Sequence, residues 1–277
     1  MPELPEVEAV RRTLEPWMKG ARIEAVELRR PDLRRPFPPD FCARLLGQTV
    51  VELSRRGKYL LATLSSGDVL LAHLGMSGWF YITAPDAPKD GGLRLEAHDH
   101  AIFRMSSGAV ITFNDPRRFG MMDLLTPEER ARHPVLSKLG PEPLSHEFDG
   151  VALARACQGR KTSLKAALLD QRVVAGLGNI YAAEALHCAG LAPHRRAGTI
   201  ATPSGAPRES AHRLAAAVKR VVADAVARTV DPGRYRGARF RVYDREGKRC
   251  LRPRCGGIIR RRPQAGRSTF YCPVCQK

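Results

Sequence analysis

The sequence contains no run of eighteen apolar residues, so it predicts no membrane-spanning helix. Its first eight residues, MPELPEVE, are acidic and rich in proline, unlike the basic and then apolar start of a secretory signal. We therefore expect a reducing, cytoplasmic location, where the seven cysteines are poor candidates for disulfides. The chain also lacks internal repeats of about 20–50 residues, which argues against a repeat architecture.

Acidic residues are scarce, because 28 Asp and Glu stand against 46 Lys and Arg in 277 residues, a net charge of +18. The apolar content of 43% is ordinary for a folded protein and excludes general disorder. Residues 228–277 contain fifteen Lys or Arg and three Asp or Glu, so this segment alone carries 15 − 3 = +12. Such a charge density favours a polyanionic partner, most simply a nucleic-acid backbone, although a solvated basic surface would have the same composition.

The spacing of apolar residues divides the chain into regions with different expected secondary structure. Residues 4–19 carry apolar side chains at helical spacing, with Pro5 in the first turn, and predict an N-terminal helix. From residue 22 to about 125, short apolar runs alternate with glycine-containing turns, which indicates an antiparallel sandwich or barrel of about eight strands. A short helix is expected within it at about 41–46.

Helical patterns follow at roughly 128–136, 149–158, 163–170, 179–189 and 208–227, the first preceded by a capping-box spacing of Thr126 and Glu129. The predicted fold class is therefore α+β, with an N-terminal helix, an eight-stranded antiparallel β-sandwich, a helical domain and a C-terminal ribbon. We place the domains at 1–127, 128–230 and 231–277.

Four cysteines near the C-terminus form a C-x4-C pair and a C-x2-C pair separated by sixteen residues: Cys250, Cys255, Cys272 and Cys275. Two such pairs on a hairpin can meet at one tetrahedral Zn²⁺. A tail of about thirty residues buries too little apolar surface to fold without a metal. The spacing therefore predicts one structural zinc ion, while disulfides or a redox pair are weaker alternatives. Cys42, Cys157 and Cys188 have no partner spacing, and we expect them to be buried apolar residues.

Five segments, in this order along the chain, resemble the formamidopyrimidine-DNA glycosylase family: MPELPEVE, RRGKYLL, NDPRRFG at 114–120, AGLGNIYAAE at 175–184 and GRSTFYCPVCQK at 266–277. Members of that family remove oxidised purines from DNA and nick the resulting abasic site. The resemblance implies that the helical domain is a helix–two-turn–helix domain, that the ribbon is a zinc finger, and that the partner is double-stranded DNA containing oxidised bases. We expect a monomer by analogy.

The resemblance assigns the nucleophile to the amine of Pro2, which removal of Met1 exposes. An α-amine has a pKa of about 7.7–8.0 and a lysine one of about 10.4, so a larger fraction of the α-amine is unprotonated at neutral pH. The resemblance makes Glu3 the general acid and base, and Glu6 a residue that holds the amine or a water. Acidic residues at a helix start also complement the helix dipole, so these positions have a structural explanation as well.

Further residues match DNA contacts of the family. Lys58 matches the lysine that contacts a phosphate beside the lesion and assists β-elimination. Arg267, which we expect in the turn of the ribbon, matches the arginine that grips the flanking phosphate and assists δ-elimination. The gap left by an extruded base is filled by three side chains, here Met76, Arg117 and Phe119. The remaining matches are His98, Arg160 (with Lys161 as an alternative) and Asn179, which we also expect to cap a helix.

The segment 229–243 is shorter than is usual in family members that act on 8-oxoguanine, and Asp244 stands where a glycine is common. These departures leave the Pro2 chemistry untouched but leave the preferred lesion open, so one alternative to excision of oxidised purines is an endonuclease VIII-like enzyme that prefers oxidised pyrimidines. A second alternative, of another class, is a non-catalytic zinc-ribbon DNA-binding protein.

Overall fold

The computed structural model describes residues 2–86, 95–228 and 240–277. Within these ranges the backbone contacts divide into two compact units, one ending at Ser137 and the other beginning at Lys138. The first unit is rich in strands, and the second is helical and carries the C-terminal hairpin.

The first unit opens with helix α1, Leu4–Met18. Pro5 lies in the first turn, where an N–H has no partner within the helix, so the ring costs no hydrogen bond. The buried stripe of Val7, Val10 and Leu14 follows the predicted spacing and packs into the main core. The predicted short helix is present as α2, Phe41–Leu45.

In the described part of the first unit, eight antiparallel strands form two four-stranded sheets. The strands are β1 Ile23–Leu28, β2 Val50–Arg56, β3 Tyr59–Leu64, β4 Val69–His73, β5 Trp79–Thr83, β6 Asp99–Met105, β7 Val110–Asn114 and β8 Met121–Leu125. Their order is β1-β6-β7-β5 in one sheet and β2-β3-β4-β8 in the other. Every pairing is antiparallel, as the alternation of short runs and turns predicts.

The main core lies between the sheets and joins Leu60 and Ala62 of β3 to Phe103 of β6 and Phe113 of β7. On the opposite side of β3, Leu61 belongs to a second apolar cluster that includes Leu71, Leu125 and Leu136. Strands β3 and β4 are therefore buried by apolar side chains on both faces of the second sheet. For this reason their sequences are continuous apolar runs and do not alternate between apolar and polar residues.

The second unit contains four α-helices among its described residues: α4 Gly150–Cys157, α5 Leu164–Leu169, α6 Asn179–Ala189 and α7 Glu209–Arg228. Helix α3, Pro127–Arg132, precedes it and has the expected capping box of Thr126 and Glu129. The helix predicted over 128–136 ends early because Pro134 disfavours helical geometry in His133. A 3₁₀ turn, Leu136–Lys138, follows.

The C-terminal hairpin consists of β9, Arg260–Gln264, and β10, Arg267–Tyr271. Its turn is Ala265–Gly266, with φ of +50° and +71°, the left-handed pair that a two-residue hairpin requires. The expectation that Arg267 lies in the turn is therefore corrected, because Arg267 begins β10 and pairs with Gln264.

The predicted fold class is confirmed, with an N-terminal helix, antiparallel sheets, a helical domain and a cysteine ribbon. None of the helices in the described part of the chain combines the length and the apolar character needed to cross a membrane.

Candidate active site and zinc centre

The first candidate group lies at the start of α1. The N–H of Glu3 donates to Oε2 of Glu6 at 2.8 Å, which is the backbone half of a capping box. Both carboxylates are nearly inaccessible, with residue exposures of 2% for Glu3 and 4% for Glu6. The positive end of the α1 dipole stabilises the negative charge of these two carboxylates, next to Pro2 at the start of the helix.

Lys58 lies in the two-residue turn between β2 and β3, beside Gly57 with a φ of +58°. It is buried, unlike an ordinary hairpin lysine. Burial, together with the nearby charges of Lys58 and Arg34, lowers the pKa of His73 to about 4. Nδ1 of His73 is 3.0 Å from the N–H of Gly75, so the neutral ring accepts this hydrogen bond and carries its proton on Nε2.

Two loops of the first unit carry the three side chains predicted to fill the gap in the DNA. Met76 is 40% exposed in the loop before β5, and Phe119 is 43% exposed in the loop between β7 and β8. The guanidinium carbon of Arg117 lies 4.9 Å from the centre of the Phe119 ring, in cation–π contact. The structure thus exposes two large apolar side chains on loops and groups Arg117 with Phe119.

Asp115 connects these two loops, and sequence reasoning missed it. Its Oδ1 accepts the hydroxyl of Ser77 at 2.7 Å, and its Oδ2 accepts the N–H of Gly120 at 2.7 Å. Its own N–H donates to the carbonyl of His98 at 3.0 Å. His98 itself is exposed, in a turn that ends at β6.

In the second unit, Asn179 and Lys165 converge on the hairpin strand that carries Arg267. The Nδ2 of Asn179 donates to the carbonyl of Ser268 at 3.1 Å, and the Nζ of Lys165 donates to the same carbonyl at 3.0 Å. Lys165 is almost fully buried and also donates to Oγ1 of Thr269 at 2.7 Å. These contacts hold the first turn of α6 beside the exposed Arg267.

The expectation that Asn179 caps α6 is wrong, because the N-cap is Gly178 and Asn179 is the first helical residue. The amide side chain of Asn179 reaches the hairpin instead of folding back onto the helix. Its nitrogen carries two hydrogens, so the bond to Ser268 still allows a donation to a phosphate.

Arg160 pairs with Asp170 at 2.9 Å, and Arg172 pairs with the same carboxylate. The hydrogen bonds from Arg172 and then from Arg160 hold the pKa of Asp170 well below its usual range. Lys161 is exposed and lines, with Arg160, a groove of about 660 Å³. The other cationic side chains of that groove are Arg195, Arg196 and Arg208.

The four predicted cysteines come together in the hairpin unit, where their sulfurs all lie within 4.8 Å of one another. Sγ of Cys250 is 3.8 Å from that of Cys275, and Sγ of Cys255 is 3.5 Å from that of Cys272. Tetrahedral Zn²⁺ with Zn–S bonds of about 2.3 Å requires sulfurs about 3.8 Å apart. The donor set and its spacing therefore fit one structural zinc ion, as predicted.

Helix α6 supports this centre through His187, which sequence reasoning also missed. Its Nε2 lies 3.2 Å from Sγ of Cys250, a distance at which an imidazole N–H donates to a thiolate. The side chain of Arg252 donates to the carbonyls of His187 and Cys188 at the end of the same helix. All seven cysteines are free of disulfides. The expectation that the three cysteines outside the cluster are buried is correct for Cys157 and wrong for Cys42 and Cys188, which are only partly buried.

Glu184, the last residue of the AGLGNIYAAE segment, is buried and holds the backbone that precedes the ribbon. Its carboxylate accepts the N–H groups of Arg241, Val242 and Tyr243 at 2.8–2.9 Å. The short segment singled out at 229–243 thus ends in a fixed stretch, while its residues 229–239 lie outside the described ranges.

These features define a protein with an N-terminal β-sandwich that carries buried acidic residues, a helical unit and a zinc ribbon. This is the domain organisation of a class of DNA-repair enzymes. Sequence models of the Formamidopyrimidine-DNA glycosylase N-terminal domain, its H2TH domain and the zinc finger found in FPG and IleRS match residues 1–122, 139–232 and 247–277. The chain belongs to the formamidopyrimidine-DNA glycosylase family.

Relatives with the name formamidopyrimidine-DNA glycosylase include proteins of Bradyrhizobium diazoefficiens, 55% identical, and of Rhodopseudomonas palustris strain BisB18, 56% identical, each over the full length of both chains. The Lactococcus lactis enzyme, non-covalently bound to DNA containing an AP site, matches with a TM-score of 0.85 and 32% identity over 99% of both chains. Its complex with Fapy-dG-containing DNA also matches with a TM-score of 0.85, at 31% identity over 99% of this chain and 100% of that one. The chain is therefore an enzyme, and the alternative of a non-catalytic DNA-binding protein is excluded.

Proposed function

We propose that this enzyme is a bifunctional DNA glycosylase and abasic-site lyase that excises oxidised purines, formamidopyrimidine and 8-oxoguanine, from duplex DNA. The observation that carries the proposal is the buried carboxylate of Glu3 at the start of α1, covalently next to Pro2. It places an acid beside the residue that the family resemblance makes the nucleophile. The same resemblance, extended over the whole chain, supports DNA as the partner.

The proposed reaction begins when the unprotonated amine of Pro2 attacks C1′ of the damaged nucleotide. The N–C1′ bond forms, the glycosidic bond breaks, and the departing base takes up a proton. The proline nitrogen then loses its proton and the C1′–O4′ bond breaks to give an iminium, and Glu3 delivers the proton that the departing base or the sugar ring oxygen needs. Because the proline nitrogen is secondary, the resulting iminium has no N–H proton to lose. Its positive charge makes the neighbouring C–H bonds acidic. Loss of a C2′ proton breaks the C3′–O bond and releases one phosphate (β-elimination), and loss of the C4′ proton then breaks the C5′–O bond and releases the other (δ-elimination).

The other site residues have electrostatic and steric roles. Lys58 assists β-elimination and Arg267 assists δ-elimination, each at a phosphate beside the lesion, while Glu6 orients the start of α1 through the N–H of Glu3. Asn179 and His98 contact the DNA backbone. Their positions, on the first turn of α6 and in an exposed turn before β6, support these roles.

Extrusion of the damaged base leaves a gap that costs a few kcal/mol in lost stacking. Met76 and Phe119 fill it, and Arg117 binds the orphaned partner base. Both apolar side chains are exposed on loops, where they are accessible to DNA, and this placement supports an insertion role.

The lesion preference is tested by the excision rates on matched duplexes that contain formamidopyrimidine, 8-oxoguanine or thymine glycol. We expect both purine lesions to be excised at least about tenfold faster than thymine glycol, a difference of about 1.4 kcal/mol in transition-state binding. The opposite ranking would support the endonuclease VIII-like alternative, for which the shortness of segment 229–243 is the argument.

The phosphate contact at residues 160–161 is assigned by the salt dependence of DNA binding. We expect Lys161→Ala to reduce the slope of log K against log salt by about 0.9, the value for one lost phosphate contact. Arg160→Ala should change the slope less, because the guanidinium of Arg160 already pairs with Asp170. Fluorescence anisotropy with a lesion-free duplex measures both slopes, with Arg155→Ala on α4 as a control. A larger effect of Arg160→Ala would assign the contact to Arg160.

We further propose that the enzyme acts as a monomer in the cytoplasm, where reduced thiols remain available to Zn²⁺.

A further inference from the structure

We propose that Asp115 is a positioning residue that fastens the Met76 loop to the Phe119 loop, so that their side chains enter the DNA as one preformed wedge. The proposal rests on the gap-filling role given above to Met76, Arg117 and Phe119. It adds a buried carboxylate that touches neither DNA nor the reacting atoms.

The first support is the hydrogen-bond geometry of Asp115, which is fully buried. One carboxylate oxygen accepts from Ser77, the residue after Met76, and the other accepts from the N–H of Gly120, the residue after Phe119. Each oxygen thus binds the chain one residue from an inserting side chain. A charged acceptor in a buried site makes both bonds stronger than bonds between neutral groups.

The second support is the close backbone packing of the same two loops. A Cβ on Gly75 would lie 2.3 Å from the carbonyl carbon of Phe119, so only glycine allows this approach. A Cβ on Gly120 would lie 2.7 Å from the ring of Phe113 and 3.0 Å from Oδ2 of Asp115. The backbones of the two loops are therefore in contact. Close to that contact, the carboxylate of Asp115 links Ser77 of one loop to Gly120 of the other.

The third support is the way the backbone of Asp115 is itself held. Its carbonyl accepts the N–H of Arg118 at 3.2 Å, and the Nε2 of the buried His100 lies 2.9 Å from the same oxygen. Arg118 has a φ of +57°, in the left-handed region that a non-glycine residue adopts only when its surroundings enforce it. Asp115 thus fixes a strained loop as well as joining it to its neighbour.

The experiment compares two substrates with Asp115→Ala and Asp115→Asn. A duplex with a paired lesion requires extrusion and gap filling, whereas a preformed abasic site in a single strand has no stack to fill. We expect Asp115→Ala to slow single-turnover excision from the duplex by about 10- to 100-fold, the effect of losing hydrogen bonds to a charged group. Strand cleavage at the single-stranded abasic site should change by less than about threefold.

Asp115→Asn provides the rescue. An asparagine can accept from the N–H of Gly120 through Oδ1 and donate through Nδ2 to the Ser77 hydroxyl, which can rotate to accept. We therefore expect its duplex rate to remain within about threefold of wild type. Should Asp115→Ala not fold, Ser77→Ala removes one of the two hydrogen bonds. It should slow excision from the duplex by about three- to tenfold and leave cleavage of the single-stranded abasic site nearly unchanged.

Asp99→Asn is the matched control, since Asp99 is also buried but accepts from Tyr81, Asn114 and the N–H of Glu96 rather than from the two loops. It should affect both substrates equally. Equal losses on both substrates in Asp115→Ala, or a duplex rate unchanged from wild type, would overturn the proposal.

Amide hydrogen exchange separates this proposal from the proposed function. Asp115→Ala should accelerate exchange at Gly120 in the free protein, because the N–H of Gly120 loses its acceptor, whatever substrate the enzyme prefers. If the wild-type protein forms no borohydride-trapped adduct but exchange still accelerates, the proposed function fails while the fastening of the loops stands.

Discussion

A chain that keeps a residue in front of Pro2 should bind lesion-containing DNA and form no covalent adduct with it. Insertion of a lysine before Pro2 retains Met1 and converts the nitrogen of Pro2 into an amide, which cannot attack C1′. We expect strand cleavage to fall by roughly 10⁴-fold or more, the order found when a covalent enzyme loses its nucleophile. Borohydride trapping on a duplex with an oxidised base measures the adduct, and mass spectrometry establishes the N-terminus of each sample.

Pro2→Gly is the companion variant, because it retains an N-terminal amine. A primary amine gives an imine that can lose its proton and become a weaker electron sink, so we expect trapping that is detectable but slower. Unchanged melting temperature and DNA affinity in the lysine-insertion chain would show that the loss is chemical. An adduct of normal yield in that chain would contradict the assignment of Pro2, since no amine then exists at that position.

Removal of the zinc ion should abolish duplex binding while leaving the first unit folded. Structural zinc contributes about 10–16 kcal/mol of apparent binding free energy in zinc-finger peptides, far more than the small apolar cluster of the hairpin can replace. We expect Cys272→Ser to lose the metal and the order of β10, which carries Arg267 and the Ser268 carbonyl bound by Lys165 and Asn179.

Elemental analysis and hydrogen exchange test this without reliance on activity. The wild-type chain should contain one zinc ion per molecule, and exchange should accelerate in the hairpin but not in the sheets of the first unit. Cys42→Ser is the matched control, because Cys42 lies on α2, far along the sequence from the four clustered cysteines, and has no second cysteine at a metal-ligand spacing. Full zinc content in Cys272→Ser, or loss of zinc in Cys42→Ser, would contradict the assigned ligand set.

Local sequence patterns predicted the elements whose signals lie within a few residues. The capping boxes at Glu3 and Thr126 involve residues three positions apart, and the helices they start were expected at these places. The two cysteine pairs likewise have short internal spacing, and the hairpin between them needed only strand-forming segments and a turn. The predictions were wrong at the ends of elements, as for Arg267 and Asn179. There, a shift of one residue in the boundary of a helix or strand changes which group a side chain contacts.

The residues that sequence reasoning missed have partners far along the chain. Lys165 bonds to Ser268 across 103 positions, Glu184 holds Val242 across 58, and Asp115 reaches Ser77 across 38. Each is a charged residue of ordinary appearance in a helix or loop. Burial distinguishes them, and a buried charge becomes stable only when its hydrogen-bond partners surround it.

The sequence by itself determined the order of the helices and strands, the zinc ligands and the family, because each depends on residue type at short spacing or on motifs in a fixed order. Only the tertiary structure decided that Met76 and Phe119 are exposed and that Asp115, Lys165 and Glu184 connect distant segments. The physical reason is that burial and long-range hydrogen bonding arise when sheets and helices pack, and no local pattern records which segments will meet.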